Sequence, residues 1–352
     1  MKVYFADRQL AHAPQQFLMA GRFVAPFEVP ERAEAMARRL ADTGFDITQP
    51  TDHGLGPIKT VHGDAYPEFL ASAYEQFQQL PVAGPEAFPN VHPHVSGELS
   101  GAARGPCKPS GIVGKLGWYM GDMACAIGPG TYTGAYWSAQ AAIAAAASVV
   151  GGAQEAVALC RPPGHHAYRD RASGFCFFNN AAIAAELLRE QFGRIAILDF
   201  DTHHGDGTQA IYYADADVFV GSTHTNPDAY YPFFVGYSDE TGVDHGRGAN
   251  LNIPLAPGTE DDAFVTANER LIEAALGHGA RALIVSAGWD AHGDDPLSKL
   301  AITDETYAHL GKLYGSLQLP TLIVQEGGYS LAAIERVAPA FMTAFQSARR
   351  GV

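Results

Sequence analysis

Histidine, aspartate and tyrosine crowd a few short stretches of this chain. His165 and His166 follow Arg161-Pro-Pro-Gly164; Asp199, Asp201, His203 and Asp206 stand close together; Ser222, Asp290 and Tyr329 stand further on. Asp201 and His203 are two apart at the end of an apolar run, so both side chains point to one side and Thr202 to the other. A helix-capping carboxylate beside a core histidine would give the same triplet. Asp290, a third carboxylate at the end of a different apolar run, favours metal ligation. An Asp/His/Asp set leaves a zinc ion one open position for water, as catalytic rather than structural sites do, and ligation without cysteine suits an oxygen-rich site.

The tandem His165 and His166 would on their own pass for a polar turn. Asp199 and Asp206 flank the metal triplet, however, and each can orient one imidazole and set its tautomer. One histidine then takes a proton from water and passes it to a leaving amine, and the residues alone leave open which. Tyr329 follows two glycines, which permit backbone geometry closed to other residues. Its phenol, hydrogen-bonded to a substrate carbonyl, would stabilise an oxyanion.

Such residues need a frame that gathers them. Runs apolar at almost every position, Ala156–Cys160, Ile195–Asp199, Val218–Gly221, Leu283–Ser286 and Leu322–Gln325, read as strands buried on both faces. Helical stretches near 180–191, 262–276 and 304–316 alternate with them, the second opened by Thr259 with Asp262 three later, as in a capping box. This predicts a doubly wound α/β domain, a central mostly parallel sheet with helices on both faces, whose ligand crevice lies at the C-terminal ends of the strands. Every chemistry-bearing stretch follows such an end. The first 150 residues are less regular, with a strand at Val3–Phe5, helices near 31–41 and 66–78, and a Gly/Pro-rich segment over about 82–130 whose Trp118 and Tyr119 suggest a packed lid or subunit contact. One domain spanning 1–352, with that segment as an insertion loop, is the expectation.

Composition closes off other classes. Among 352 residues, 38 acidic against 23 basic give a net charge of −15, which disfavours nucleic acid and anionic membranes as partners. A 47% hydrophobic and 17% charged chain has ample core and too little charge for disorder. The N-terminus MKVYFADRQL carries charges where a signal peptide needs an apolar run, and Ala141–Val150 is too short to span a bilayer, so a soluble cytoplasmic protein is expected. Cys107, Cys125, Cys160 and Cys176 form no CxxC pair and read as buried thiols.

RPPGHHA, GFCFFNN, LDFDTHHGDGTQ, SAGWDAHGDDPL and QEGGY, in this order and spacing, resemble the zinc-dependent histone deacetylase family over residues 156–330. GRFVAPFEVPERAEAM, VHGDAYPEFL and WYMGDMACAIGPGTY are similar to its bacterial acetylpolyamine amidohydrolase branch. The resemblance implies an arginase–deacetylase fold and hydrolysis of acetylated amines, acetylpolyamines or related small amines foremost, with acetyl-lysine peptides as the alternative. It implies Asp201, His203 and Asp290 as ligands of one zinc, Tyr329 as the carbonyl-polarising residue, and His165 with Asp199 and His166 with Asp206 as the catalytic histidines. Gly174 and Phe175, with Tyr231 before Pro232, match the walls of a substrate tunnel. Asp199 and Ser222 match a potassium site, and a homodimer or higher homo-oligomer is implied as well.

One departure bears on selectivity. Where the polyamine branch carries acidic residues, this chain has Val113 and Ala124, leaving Asp122 as the nearby carboxylate for a distal ammonium. A two-manganese ureohydrolase on the same fold would need further bridging carboxylates, and the position four after Asp201 is Gly205. A catalytically silent binding module would be expected to have lost Tyr329 or a histidine, and all are present.

Overall fold

A computed structural model describes residues 1–93 and 106–351. Its centre is an eight-stranded sheet built from β1 (Lys2–Tyr4), β4 (Asp46–Thr48), β5 (Glu155–Ala158), β6 (Ile195–Asp199), β7 (Val218–Thr225), β8 (Asn250–Leu255), β9 (Leu283–Ala287) and β10 (Thr321–Gln325). Their order is β4-β1-β5-β10-β9-β6-β7-β8, and every neighbouring pair is parallel. β2 (Phe17–Met19) and β3 (Arg22–Val24) form a separate antiparallel hairpin.

The apolar runs become central strands because both faces of the sheet are covered. Helices α2 (Gly56–His62), α3 (Ala65–Gln78), α4 (Ile112–Tyr119), α5 (Thr131–Val150) and α6 (Asn180–Phe192) share one core with Phe177, Phe178 and Ile197. On the other face α1 (Glu31–Asp42), α8 (Asp261–His278), α9 (Asp304–Gly315) and α10 (Leu331–Arg350) pack with Phe200, Trp289 and Val285. α7 (Asp206–Tyr212) follows the loop after β6. Asn179 caps α6, accepting from Ala182 N at 2.9 Å, and so fixes where the helix starts after the GFCFFNN segment.

The doubly wound parallel sheet is as expected, and the strands and helices read from the sequence lie within a few residues of those observed. Two details differ. Thr259 is not a helix cap: its hydroxyl donates to Ala256 O, and α8 begins after Glu260 with no side-chain cap. The 82–130 segment is not a bare loop, since it contains α4, whose Tyr119 stacks on Phe69 of α3 at 4.6 Å; residues 94–105 of it lie outside the described residues. The cysteines are free, three buried and Cys107 half-buried.

What the topology does for the site is specific. β5, β10, β9, β6 and β7 are five consecutive neighbours at the middle of the sheet. Their C-terminal ends carry the histidine pair, Glu326 and Tyr329, Asp290, the Asp201/His203 pair, and Ser222 with the loop to Tyr231, respectively. Five motifs scattered over 170 residues of sequence therefore meet along one rim.

Candidate active site

Asp201, His203 and Asp290 converge, each offering a ligand atom within 4.8 Å of the others, and all three are buried. His203 Nδ1 lies 3.1 Å from Asp201 Oδ1 and 3.2 Å from Asp290 Oδ2. Those separations are close to the edge, about 3.3 Å, of a tetrahedron with bonds of ~2.0 Å. Asp290 Oδ2 is buried without a hydrogen-bond donor, while Asp290 Oδ1 accepts from Thr202 N. A buried carboxylate oxygen with no donor is costly unless a cation meets it.

The electrostatics say the same. Burial disfavours charge on His203, yet Tyr230, Asp201 and Asp290 around it raise its proton affinity well above the ordinary imidazole value. Burial and the neighbouring Asp201 push Asp290 up to about 7, while Asp201 is held below the usual carboxylate range, His165 and His203 outweighing its own burial. The pocket thus calls for positive charge between these groups. Gly288 and Gly327 let the backbone close around it: a Cβ at either would lie 2.2 Å from an Asp201 or Asp290 carboxylate oxygen. This donor set fits a metal ion.

His165 and His166 sit beside the triad. His165 Nδ1 contacts Asp199 Oδ2 at 2.9 Å, and His166 Nδ1 contacts Asp206 Oδ1 at 2.6 Å. Asp206 also accepts from Tyr168 OH at 2.7 Å. Burial opposes charge on His165, but Asp199 and Asp201 outweigh it and push it up to about 10; burial and the charge of His165 drive His166 down to about 4 against the pull of Asp206. Of the two imidazoles, only His166 lines the cavity above the triad. Gly205, four after Asp201, cannot be replaced by a bridging carboxylate without a clash, since a Cβ there would meet Asp199 Oδ2 at 2.6 Å.

That cavity, about 350 Å³, is lined by Phe17, Asp122, Gly174, Phe175, Tyr231 and Tyr329 among others. Phe175 packs edge-on to Tyr329 at 5.7 Å, and Tyr231 edge-on to His166 at 5.0 Å. Gly174 has a φ of +51°, and a Cβ there would lie 2.4 Å from the His166 ring, so the glycine is required where the tunnel wall meets the histidine. Burial keeps the Tyr329 phenol far above its ordinary value although Arg32, 4.5 Å from its ring centroid, opposes this, so it remains a donor. Asp199 and Ser222 are register partners across β6 and β7, with Ser222 Oγ 2.8 Å from His224 Nδ1.

The structure corrects the reading of the selectivity positions. Val113 is not at this mouth; it lines a separate cavity with Phe77 and Leu80, because α4 turns it towards α3. Ala124 and Asp122 do line the mouth. Asp122 Oδ2 already accepts from Tyr231 OH at 2.7 Å, Gly174 N at 2.9 Å and Ser173 Oγ at 3.0 Å, so it braces the tunnel wall.

Sequence reasoning passed over several supporting residues. Glu326 Oε2 accepts from Gly164 N and His165 N, holding the backbone of the histidine pair, and burial raises its carboxyl to about 7. Asp295 Oδ2 accepts from Tyr329 N at 2.6 Å and Ser330 N at 2.8 Å. Tyr230 stacks on His203. Asp295 and Glu326 stand inside motifs already singled out; Tyr230 had no signal beyond its place next to Tyr231.

Comparison with known proteins places this arrangement. The histone deacetylase domain model matches residues 26–345. An acetylpolyamine amidohydrolase of Burkholderia pseudomallei is 40% identical over 99% of this chain and 100% of its own length, and one from Mycoplana ramosa is 38% identical over 95% and 96%. The crystal structure of an acetylpolyamine aminohydrolase from Burkholderia pseudomallei superposes with a TM-score of 0.94 at 40% identity, covering 99% of both chains.

Proposed function

Since the chain belongs to the histone deacetylase domain family, we propose that it is a zinc-dependent amidohydrolase that removes acetyl groups from small acetylated amines, acetylpolyamines foremost. The observation that carries this reading is the convergence of Asp201, His203 and Asp290 with His166 and Tyr329 at the floor of one aromatic-walled cavity. The similarity to acetylpolyamine amidohydrolases over nearly the full length of both chains supports the substrate class.

Zinc held by Asp201, His203 and Asp290 would supply Lewis-acid chemistry, polarising the acetyl carbonyl and acidifying the attacking water. The remaining work belongs to the side chains. Phe175 and Tyr231 flank an aliphatic stem and direct the amide to the floor. His166, neutral and with Nδ1 held by Asp206, takes the proton of the attacking water on Nε2. As the carbon–oxygen bond forms, Tyr329 donates its hydroxyl to the developing oxyanion. His166 then returns the proton to the amine nitrogen as the C–N bond breaks, giving acetate and free amine. His165 pairs with Asp199, and its charge in the metal-free protein opposes a proton on its neighbour.

We assign potassium to Asp199 and Ser222 on their adjacency across two strands. A homo-oligomer, with no nucleic-acid or membrane partner, completes the proposal; the net charge of −15 supports the two exclusions. Among the described residues, no helix is long and apolar enough to cross a membrane. Assays of the zinc-loaded protein against acetylputrescine, acetylspermidine and an acetyl-lysine peptide test the reading. Release of acetate from the small amines is expected; hydrolysis of none of the three overturns it.

A further inference from the structure

Tyr230 stands outside the proposed reaction, yet it touches the metal triad directly. Its ring stacks on His203, centroids 5.1 Å apart and planes 20° from parallel, and its oxygen lies 3.2 Å from His203 Nε2. The same hydroxyl donates to Leu297 O. A phenol has one proton, so with that proton committed to a carbonyl the oxygen can only accept from the imidazole. Nε2 must then carry a hydrogen, so Nδ1, which faces Asp201 and Asp290, is the nitrogen left to give its lone pair to a metal ion.

The acceptor of Tyr230 is itself pinned. Leu297 N donates to Asp295 Oδ1 at 3.0 Å, and Asp295 Oδ2 holds Tyr329 N and Ser330 N. A single short turn, Asp295 to Leu297, thus anchors the backbone of Tyr329 on one side and, through Tyr230, the far nitrogen of His203 on the other.

We propose that Tyr230 is a positioning residue for the metal ligand His203, fixing its tautomer and ring plane through the chain His203 Nε2–H to Tyr230 to Leu297 O. The inference rests on the reading of Asp201, His203 and Asp290 as a metal site. Partners of this kind behind a ligating histidine typically change metal affinity by ~10–100-fold when removed. Asp201 and Asp290 both offer carboxylates, so His203 is the one ligand whose donor atom depends on a tautomer.

The test compares wild type, Tyr230→Phe and Tyr230→Leu, each loaded with zinc and titrated with a chromophoric chelator to obtain a dissociation constant. Phenylalanine keeps the stacked ring and removes only the hydroxyl; leucine removes both. A 10–100-fold weaker zinc affinity in Tyr230→Phe is expected, with the metal-free proteins melting at the same temperature and the cobalt-loaded variant showing a shifted ligand-field spectrum. Equal affinity in wild type and Tyr230→Phe overturns the proposal, as does a loss confined to Tyr230→Leu, which would assign the effect to stacking. A metal-free Tyr230→Phe that melts well below wild type overturns it too, by locating the effect in folding. Wild type that binds no stoichiometric zinc overturns the metal site itself, and this inference with it.

Discussion

The rings of His165 and His166 lie 4.0 Å apart, centroid to centroid, and their surroundings drive them to opposite protonation states. His165 has Asp199 and Asp201 beside it and is pushed up to about 10; His166 faces that positive charge from a buried position and is pushed down to about 4. Two imidazoles at this distance share one charge, so their titration belongs to the pair.

This division of charge gives the first prediction. A base must be neutral to accept a proton, so activity falls when the pH drops through the pKa of His166, and burial with the charge on His165 places that limb below the ordinary 6.5. A bound cation lowers it further. His165→Ala removes the charge, so the acid limb of kcat/KM should move to higher pH, while His166→Ala should cost ~10²–10⁴ in kcat with metal still bound. Measured pH–rate profiles of the two variants check this; a limb that stays put or moves lower in His165→Ala contradicts the assignment.

In the proposed reaction Tyr329 makes its contact at the reacting carbonyl, as a donor to the oxyanion that forms there. Tyr329→Phe should therefore lower kcat by ~10²–10³ with little change in KM, the mark of an oxyanion donor. Its backbone is fixed by Asp295, so the ring should stay in place and the zinc content should match wild type. An unaltered kcat would falsify the role.

Much of this site was legible in the sequence for a physical reason. Short runs apolar at almost every position, such as Ile195–Asp199, read as central strands of a parallel sheet, and a chemistry-bearing residue just past one then lies at the C-terminal rim. What the runs do not encode is which strands become neighbours, and the distance from His203 to Asp290 depends on β9 pairing with β6. Elements without a strong period were missed. α5 is rich in alanine and buried nearly all round, so it shows no polar face, and β8 is an edge strand that tolerates Pro254. α4 lies inside a Gly/Pro-rich segment that reads as loop, so the sequence carries no sign that Val113 faces away from the mouth. Asp122 lines the mouth, but its three donors are backbone and side-chain groups that only the folded chain brings together.

Those donors shape the next expectation. With Tyr231, Ser173 and Gly174 all bonded to Asp122 Oδ2, Asp122→Ala leaves Gly174 N without that acceptor and Ser173 and Tyr231 with each other at 2.8 Å, and so loosens one wall of the tunnel. The loss in kcat/KM should therefore be of similar size for cationic acetylputrescine and for an uncharged acetylated amide of the same length. A loss confined to the cationic substrate would mean instead that the carboxylate reads the distal ammonium.

Acid should weaken the fold through histidines that must stay neutral. His62 accepts from Asn179 N at Nε2 and faces Arg169 O with Nδ1, both at 2.9 Å, so Nδ1 carries the one proton and a second would have to displace a backbone donor. Burial and the nearby Arg169 lower its pKa to about 4, and His12, likewise buried, is lowered to about 4 despite Glu28. Because the folded values lie below the unfolded 6.5, the stability these groups contribute is fully present above pH 6.5 and is lost as the pH falls towards 4, the interval in which the unfolded chain binds protons that the folded chain refuses. Each group steepens the fall by at most about 1.4 kcal/mol per pH unit. His62→Gln can still accept from Asn179 and donate to Arg169, but it does not titrate. Between pH 6.5 and 4.5 the variant should therefore lose stability less steeply than wild type, by roughly the slope of one proton, as read from urea midpoints across the range. Parallel curves for the two proteins would show that His62 is not among the groups that set the acid limit.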